Sequence, residues 1–121
     1  MKVALSSKYL VALLFLLGSV PSYAAPLLRG MHTYTIQQKS NGRFVDAHEH
    51  RGEDYRLVTR LFQNNNTQRW IITPIGGNTY TIQQKSNGRF VDAHEHKKED
   101  YRLVTRPPQN NDTQRWLIYR N

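Results

Sequence analysis

The sequence predicts an all-β protein made of two copies of a unit with four short strands. The first observation is a duplication: residues 34–46 return unchanged at 80–92, and residues 34–73 match residues 80–119 at 33 of 40 positions. The second is an alternation of side chains with a period of two, which is typical of half-buried strands. The third is the recurrence of Asn-Gly and other polar turn sequences between these segments. Beyond residue 24, no segment has the periodicity of a helix.

Residues 1–24 have the pattern of a secretory signal peptide. Lys2 and Lys8 precede a short apolar run at 9–17, and Ser22-Tyr23-Ala24 follows as a small-x-small cleavage sequence. A membrane anchor is the alternative, but a spanning helix needs about 20 apolar residues, roughly twice the length of this run. We therefore expect a secreted or periplasmic protein without a membrane span.

The strands of each unit follow from its alternating and turn sequences. Residues 25–33 are interpreted as a linker and the remnant turn of a preceding unit, and unit 1 covers residues 34–79. Its first strand, 34–38, ends at the turn Ser40-Asn41-Gly42, where Asn and Gly tolerate positive φ. Unit 2, residues 80–121, repeats the pattern. Polar loops separate the three further strands of unit 1, which are expected at 43–48, 55–60 and 69–75.

Each unit ends in a Gln-x-Trp motif. Gln68-Arg69-Trp70 returns as Gln114-Arg115-Trp116, and each follows an Asn-Gly-Arg-Phe-Val-Asp sequence earlier in its unit. With this combination, residues 30–121 resemble the ricin B-type lectin family. The resemblance implies a β-trefoil, in which three units around a pseudo-threefold axis give strands to a barrel and to a hairpin cap. It also implies carbohydrate binding in shallow pockets, one per unit, without catalysis.

The chain has two units where the resemblance implies three. A barrel without one third has two open strand edges, and unpaired edges favour pairing with a partner. We expect closure by association as a homotrimer, since three chains supply enough units for two complete trefoils. One alternative is an open two-thirds trefoil. Another is a protein-interaction or toxin-accessory subunit whose edges receive a larger partner.

The resemblance also implies the residues of the sugar site. In the family an Asp accepts sugar hydroxyls, an aromatic side chain on the third strand stacks on the sugar ring, and polar residues near the last motif add hydrogen bonds. In this chain the stacking position holds Arg, which pairs with carboxylates but offers no apolar face to a sugar. Acidic glycans are therefore favoured over neutral galactose as ligands. The expected carbohydrate-binding residues are Asp46, Arg60, Asn65 and Gln68 in unit 1, and Asp92, Arg106, Asn111 and Gln114 in unit 2.

Structural roles are the alternative for several of these side chains. The two Asp residues could instead accept backbone N–H groups of their own loops, and the two Gln residues could tie the loop to the barrel. Trp70 and Trp116 are expected in the core, because large aromatic side chains beside other apolar residues usually fill interiors. Tyr55 and Tyr101 could supply the stacking platform at a displaced position, and the sequence leaves this question open.

Other chemistries find little support in the sequence. The absence of cysteine excludes disulfides and thiolate metal sites. His48 and His50 could share one face of a strand, but no third metal ligand is specified, so we expect no metal and no other cofactor. No serine has the context of a nucleophile, so we expect no enzyme. Without residues 1–24, which hold two lysines and no acidic residue, the net charge is +6, and the charges are spread over both units without a basic run, which argues against a nucleic-acid partner.

Overall fold

The computed structural model describes residues 32–121. The expected signal peptide and most of the expected linker at 25–33 lie outside the described residues. Within the described part, no helix has the length and apolar character needed to cross a membrane.

The described residues form strands and short 3-10 turns, which confirms the all-β class. The 3-10 turns lie in the loops that the sequence predicts to be polar, at Arg51–Glu53, Asn66–Gln68, Lys97–Glu99 and Asp112–Gln114. The eight strands are β1 (Thr33–Tyr34), β2 (Phe44–Ala47), β3 (Leu57–Arg60), β4 (Trp70–Gly76), β5 (Thr79–Gln84), β6 (Phe90–Ala93), β7 (Leu103–Arg106) and β8 (Trp116–Leu117).

The two units use the same pairing. In unit 1, β2 pairs antiparallel with β3 so that Phe44 lies opposite Arg60, and in unit 2 β6 pairs with β7 so that Phe90 lies opposite Arg106. In each unit the first strand also pairs with the last, β1 with β4 and β5 with β8. The units are joined by the long β4–β5 hairpin, which turns at residues 77–78. The same sequence therefore produces the same strand pairing twice.

The third strand of each unit starts later than the sequence predicts. Asp54 and Tyr55 have φ values of 55° and 50°, in the left-handed region, and Asp100 and Tyr101 have almost the same values. A residue in this conformation cannot continue a strand. The predicted strand at 55–60 is therefore shortened to Leu57–Arg60. Tyr55 and Tyr101 belong to the turns that precede these strands.

The core lies where the two units meet. Ala47, Trp70 and Ile72 of unit 1 pack with Tyr80 and Val91 of unit 2. The indole N–H of Trp70 donates to the carbonyl oxygen of Val45 at 3.1 Å, so the one polar atom of this buried ring is paired. Trp116 makes the equivalent hydrogen bond but is only half-buried and packs at the margin of the core.

Candidate functional site

The two expected sugar-binding aspartates lie on the second strand of each unit and are buried. Asp46 is 1% exposed and Asp92 is 0% exposed. In both, one carboxylate oxygen accepts the backbone N–H of the next residue at 2.7 Å. The other accepts a hydrogen bond from the Gln side chain of the Gln-x-Trp motif at 3.1 Å. Each carboxylate is therefore already satisfied by donors from its own unit.

The Gln of each motif is equally occupied. Besides its bond to Asp46, the Gln68 amide donates to the carbonyl oxygen of Leu61 at 2.9 Å and accepts the backbone N–H of Gln63 at 3.0 Å. Gln114 makes the same set of bonds in unit 2. These bonds fold the loop that precedes the motif back onto the second strand.

Direct contact of the Asp and Gln side chains with sugar stays a prediction. All four are buried, and their polar atoms already have partners within the unit. The geometry corresponds to the structural alternative, in which these side chains hold the loop in place. The four residues are Asp46, Gln68, Asp92 and Gln114.

Arg60 and Arg106 lie at the ends of β3 and β7 and reach the surface. One guanidinium nitrogen of Arg106 lies 3.6 Å from a carboxylate oxygen of Asp92, and another lies 3.4 Å from Nδ1 of His94. The side chain is still 28% exposed. Arg60 has the same 3.4 Å approach to Nδ1 of His48. Each guanidinium is thus oriented by its own unit while part of it faces solvent.

The electrostatic environment of His48 favours its neutral form. Burial, followed by the positive charges of Arg60 and Arg56, lowers the pKa of His48 below its ordinary value, against an opposing contribution from Glu53. A neutral imidazole can accept a hydrogen bond from Arg60. We therefore expect this pair to exist as a cationic arginine beside a neutral histidine.

Asn65 and Asn111 are exposed and shape the same loops. Asn65 caps the short 3-10 turn, since its side-chain oxygen accepts the backbone N–H of Thr67 at 3.2 Å and the hydroxyl of Thr67 at 2.6 Å. Asn111 accepts the hydroxyl of Thr113 at 2.6 Å. Both amides lie at the surface, on the loop that follows the arginine of their unit.

Two aromatic features near these loops were not expected from the sequence. Phe62 is 61% exposed, and its ring centroid lies 5.4 Å from that of Phe44. The equivalent position in unit 2 is Pro108, so only unit 1 has this ring. Tyr55, considered above as a stacking platform, has its face covered by the guanidinium of Arg89 at 3.6 Å from the ring centroid. The exposed phenylalanine in a polar loop is a signal that the sequence offered, whereas the tyrosine–arginine contact forms only between units.

Among the described residues, open cavities lie beside unit 2 and between the units. The larger, of about 710 Å³, lies beside unit 2 and is lined by strands and by the loop at 108–115, including Asn111 and Gln114. The smaller, of about 380 Å³, lies between the units and is lined by residues that include Tyr55, Arg89 and Pro108. Neither cavity has Arg60 or Arg106 in its lining. The arginines therefore lie outside these cavities.

One cluster of potential metal ligands brings together Asp54, His94 and Glu99. The guanidinium of Arg102 already pairs with both carboxylates, with N–O distances of 3.1 Å and 2.6 Å. His94 Nε2 lies 2.6 Å from Asp54, and this hydrogen bond, followed by that of Arg102, holds the pKa of Asp54 below its ordinary value against the effect of burial. The cluster has the composition of an ion-pair network between the units, and a cation would have to displace Arg102.

Comparison with solved structures shows the fold. The designed three-fold symmetric protein ThreeFoil superposes with a TM-score of 0.62 and 15% sequence identity, covering 75% of this chain and 65% of that chain. The PSL1a-E64 complex gives a TM-score of 0.60 and 18% identity, covering 71% of this chain and 33% of that chain. Both are β-trefoil proteins, so the class of protein is a β-trefoil domain. The chain spans less than two thirds of the length of each.

The family follows from the sequence match. The ricin-type beta-trefoil lectin domain-like family matches residues 27–105, more than half of the chain. This chain belongs to the ricin-type beta-trefoil lectin-like family, which confirms the resemblance drawn from the Gln-x-Trp motifs. No curated protein matches it at a significant level.

Proposed function

We propose that this protein is a glycan-binding module without catalytic activity, with a site at the equivalent arginine of each unit. The observation that carries the proposal is the position of Arg106, which lies over the buried Asp92 with its guanidinium partly exposed. Membership of a lectin-like family supports carbohydrate as the ligand. The contact residues proposed here are Arg60, Arg106, Asn65 and Asn111, with the buried Asp and Gln side chains holding their loops.

Acidic glycans fit these positions better than neutral ones. A guanidinium has five N–H donors in a planar fork, and it can bind a carboxylate or sulfate group with two parallel hydrogen bonds. The long contacts of Arg106 to Asp92 and His94 leave donors available to such a ligand. Without residues 1–24 the chain still has a net charge of +6, which attracts anionic polymers. Uronic acid or sulfated sugars are therefore the proposed ligand class.

The two proposed sites have equivalent buried Asp and Gln side chains but differ in the exposed residues that follow the arginine. Unit 1 has Leu61 and Phe62, both largely exposed, beside Arg60, whereas unit 2 has Pro107 and Pro108. An exposed aromatic ring offers an apolar face to the C–H side of a sugar. We therefore propose that unit 1 binds more tightly than unit 2. Occupation of both sites by one polymer would raise the overall affinity through effective concentration.

The direct test compares binding to glycans after the charges of the proposed sites are removed. The variant Arg60→Gln with Arg106→Gln should lose at least tenfold in affinity for a sulfated or uronic acid oligosaccharide. The matched control is Lys97→Gln with Lys98→Gln, which removes the same total charge from exposed positions. Isothermal titration calorimetry would measure both, and far-ultraviolet circular dichroism would confirm folding. Equal losses in the two variants would attribute binding to net charge alone and contradict the proposed sites.

A second test concerns the difference between units. Phe62→Ala should weaken sugar binding at unit 1, whereas Pro108→Ala should have little effect on binding. Tight binding of neutral galactose that is unaffected by the two Arg substitutions would contradict the acidic ligand class.

The proposed setting is extracellular or periplasmic, after removal of residues 1–24. This location follows from the sequence pattern of the leader, and it would bring the module into contact with cell-surface glycans. N-terminal sequencing of the exported protein should begin at residue 25. An intact N-terminus in the exported protein would contradict this processing.

A further inference from the structure

The near-identity of the two units makes their burial directly comparable. Where the two units have the same residue, a difference in its burial arises from the different neighbours that surround it. Tyr80 and Gln84 are fully buried, whereas the equivalent Tyr34 is half-buried and Gln38 is exposed. These residues of unit 2 are covered by unit 1, and unit 1 has no such neighbour among the described residues. Unit 1 thus presents an open surface, here called the leading edge, which includes Tyr34, Ile36, Gln38, Val58 and Thr59.

The opposite asymmetry is present at the far side of unit 2. Tyr55 is half-buried, but the equivalent Tyr101 is 57% exposed, and Leu103 is 41% exposed where Leu57 packs against the core. In the C-terminal strand, Leu117 is 60% exposed, whereas the equivalent Ile71 of unit 1 is half-buried. Unit 2 therefore presents a second open surface, here called the trailing edge, which includes Ala93, Asp100, Tyr101, Leu103 and Leu117.

The contacts between units 1 and 2 show how these two edges match. Asp54 of unit 1 binds His94 and Arg102 of unit 2. The ring of Tyr55 packs against the guanidinium of Arg89. The carbonyl oxygen of Tyr55 also accepts a backbone hydrogen bond from β7 at 3.0 Å. Besides the core contacts and the β4–β5 pairing, the interface between units thus includes an ion-pair cluster, a cation–π contact and a backbone hydrogen bond.

Every group of this interface is present a second time at the open edges. Displacement by one unit puts Asp100 and Tyr101 on the trailing edge in place of Asp54 and Tyr55. It puts His48, Arg56 and Arg43 on the leading edge in place of the residues that they contact. Within the described part of the chain, no hydrogen bond or ion pair involves the Asp100 carboxylate, which is exposed. The two edges therefore have complementary charges.

The strands at these edges are shortened. β5 has six residues, whereas β1, with nearly the same sequence, has two, and β4 has seven residues whereas β8 has two. The long strands are those that pair across the unit boundary, where Ile72 lies opposite Ile82. Ile118 is the unit 2 equivalent of Ile72, and Ile36 is the unit 1 equivalent of Ile82. If the last strand of one chain paired with the first strand of another in the same register, Ile118 would lie opposite Ile36. Unpaired strand edges of this kind favour a partner strand.

We propose that a unit from a second copy of this chain fills the gap between the leading and trailing edges and repeats the contacts between units 1 and 2. A copy is the occupant because each edge complements the other edge of the same chain in charge and in hydrogen-bonding register. An intact copy brings one unit too many for one gap, so its two units would serve two barrels. Three chains, one of them bridging, then close two trefoils.

The bridging chain has to separate its two units at the β4–β5 turn. This turn contains Gly76 and Gly77, with φ values of 138° and 51°, and nothing lies within 4 Å of a Cβ atom built at either position. The turn is therefore free of side-chain packing that would oppose its opening. Exchange of identical elements between copies is a common route to oligomers.

The first experiment measures the mass of the exported protein by sedimentation equilibrium, without any glycan. We expect three times the mass of one chain. Asp100→Arg should raise the concentration for half-dissociation at least tenfold, because it places a cation opposite His48 and Arg56 of the next copy. Adding Asp54→Arg, Arg56→Asp and Arg102→Asp should restore association, because the charges are then exchanged at every junction between units, within one chain and between chains. A wild-type protein that stays a single chain at all concentrations would overturn the proposal, as would association unaffected by Asp100→Arg.

The second experiment remains informative if the charge variants fold poorly. The chain has no cysteine, so Ile36→Cys with Ile118→Cys introduces the only two thiols. Directly opposite residues on paired strands lie within the range that a disulfide can bridge. Oxidation should give a band of three linked chains. The control, Ile36→Cys with Leu117→Cys, turns one thiol to the other face of its strand and should link poorly. Equal linking in both variants, or a stable complex with a different secreted chain at these edges, would overturn the proposal.

Discussion

Replacement of Gln68 by Ala tests whether the Asp–Gln pair holds the fold. The amide makes hydrogen bonds to Leu61 and Gln63 and one to the buried carboxylate of Asp46. A neutral hydrogen bond contributes about 1 kcal/mol to stability, and a bond to a charged group contributes about 1.5–3 kcal/mol. The change also leaves one oxygen of a buried carboxylate without its donor. We therefore expect Gln68→Ala to lower the free energy of unfolding by about 4 kcal/mol.

Denaturant unfolding followed by tryptophan fluorescence would measure this cost. Both tryptophans report on the core and its margin, so their emission should change on unfolding. The matched control is Gln63→Ala in the same loop, whose exposed side chain only accepts a bond from Asn65 at 3.2 Å. A surface change of this kind should cost less than about 0.5 kcal/mol. A cost below about 1 kcal/mol for Gln68→Ala would refute the structural role.

Two further predictions concern the unit boundary and the core. The hydrogen bonds from His94 and Arg102 lower the pKa of Asp54 from its ordinary value of 3.8, so its contribution to stability is present above that value and is lost as the pH falls through the folded-state pKa. Because this carboxylate is 45% exposed, Asp54→Asn should cost less than about 1 kcal/mol at pH 7, and a difference from wild type that persists at pH 2 would contradict the reasoning. In single chains dissociated by Asp100→Arg, Trp70→Phe should cost more than Trp116→Phe, because Trp70 is fully buried and Trp116 is not, and acrylamide should quench Trp116 preferentially. Equal costs, measured in denaturant for single chains, would contradict the difference in burial.

The fold was predictable because its signals are local. The Asn-Gly sequences predicted the turn after the first strand of each unit, and the alternation of side chains identified the strands on either side of that turn. The structure has strands at Phe44–Ala47 and Leu57–Arg60, within the ranges that the sequence predicts. The Gln-x-Trp motifs identified the family, and the family match confirms it. The left-handed backbone at Asp54 and Tyr55 was missed because neither residue is a glycine.

The candidate site was less predictable because burial is not a local property. Asp46 and Gln68 are separated by 22 residues, and only their hydrogen bond in the folded unit shows that each satisfies the other. Arg60 could be assigned to a site position from the sequence, but its contact with His48 depends on the pairing of β2 with β3. The sequence could not show which of these polar groups would still face solvent.

The amino-acid sequence by itself determined the all-β class, the duplication and the family, because turn chemistry, side-chain alternation and motif spacing are properties of short segments. Only the tertiary structure distinguished Gln84 from Gln38, or Trp70 from Trp116, although each pair has nearly the same sequence around it. The physical reason is that the exposure of a side chain depends on which neighbour covers it. Among residues 32–121, each unit covers one edge of the other and leaves its own second edge open.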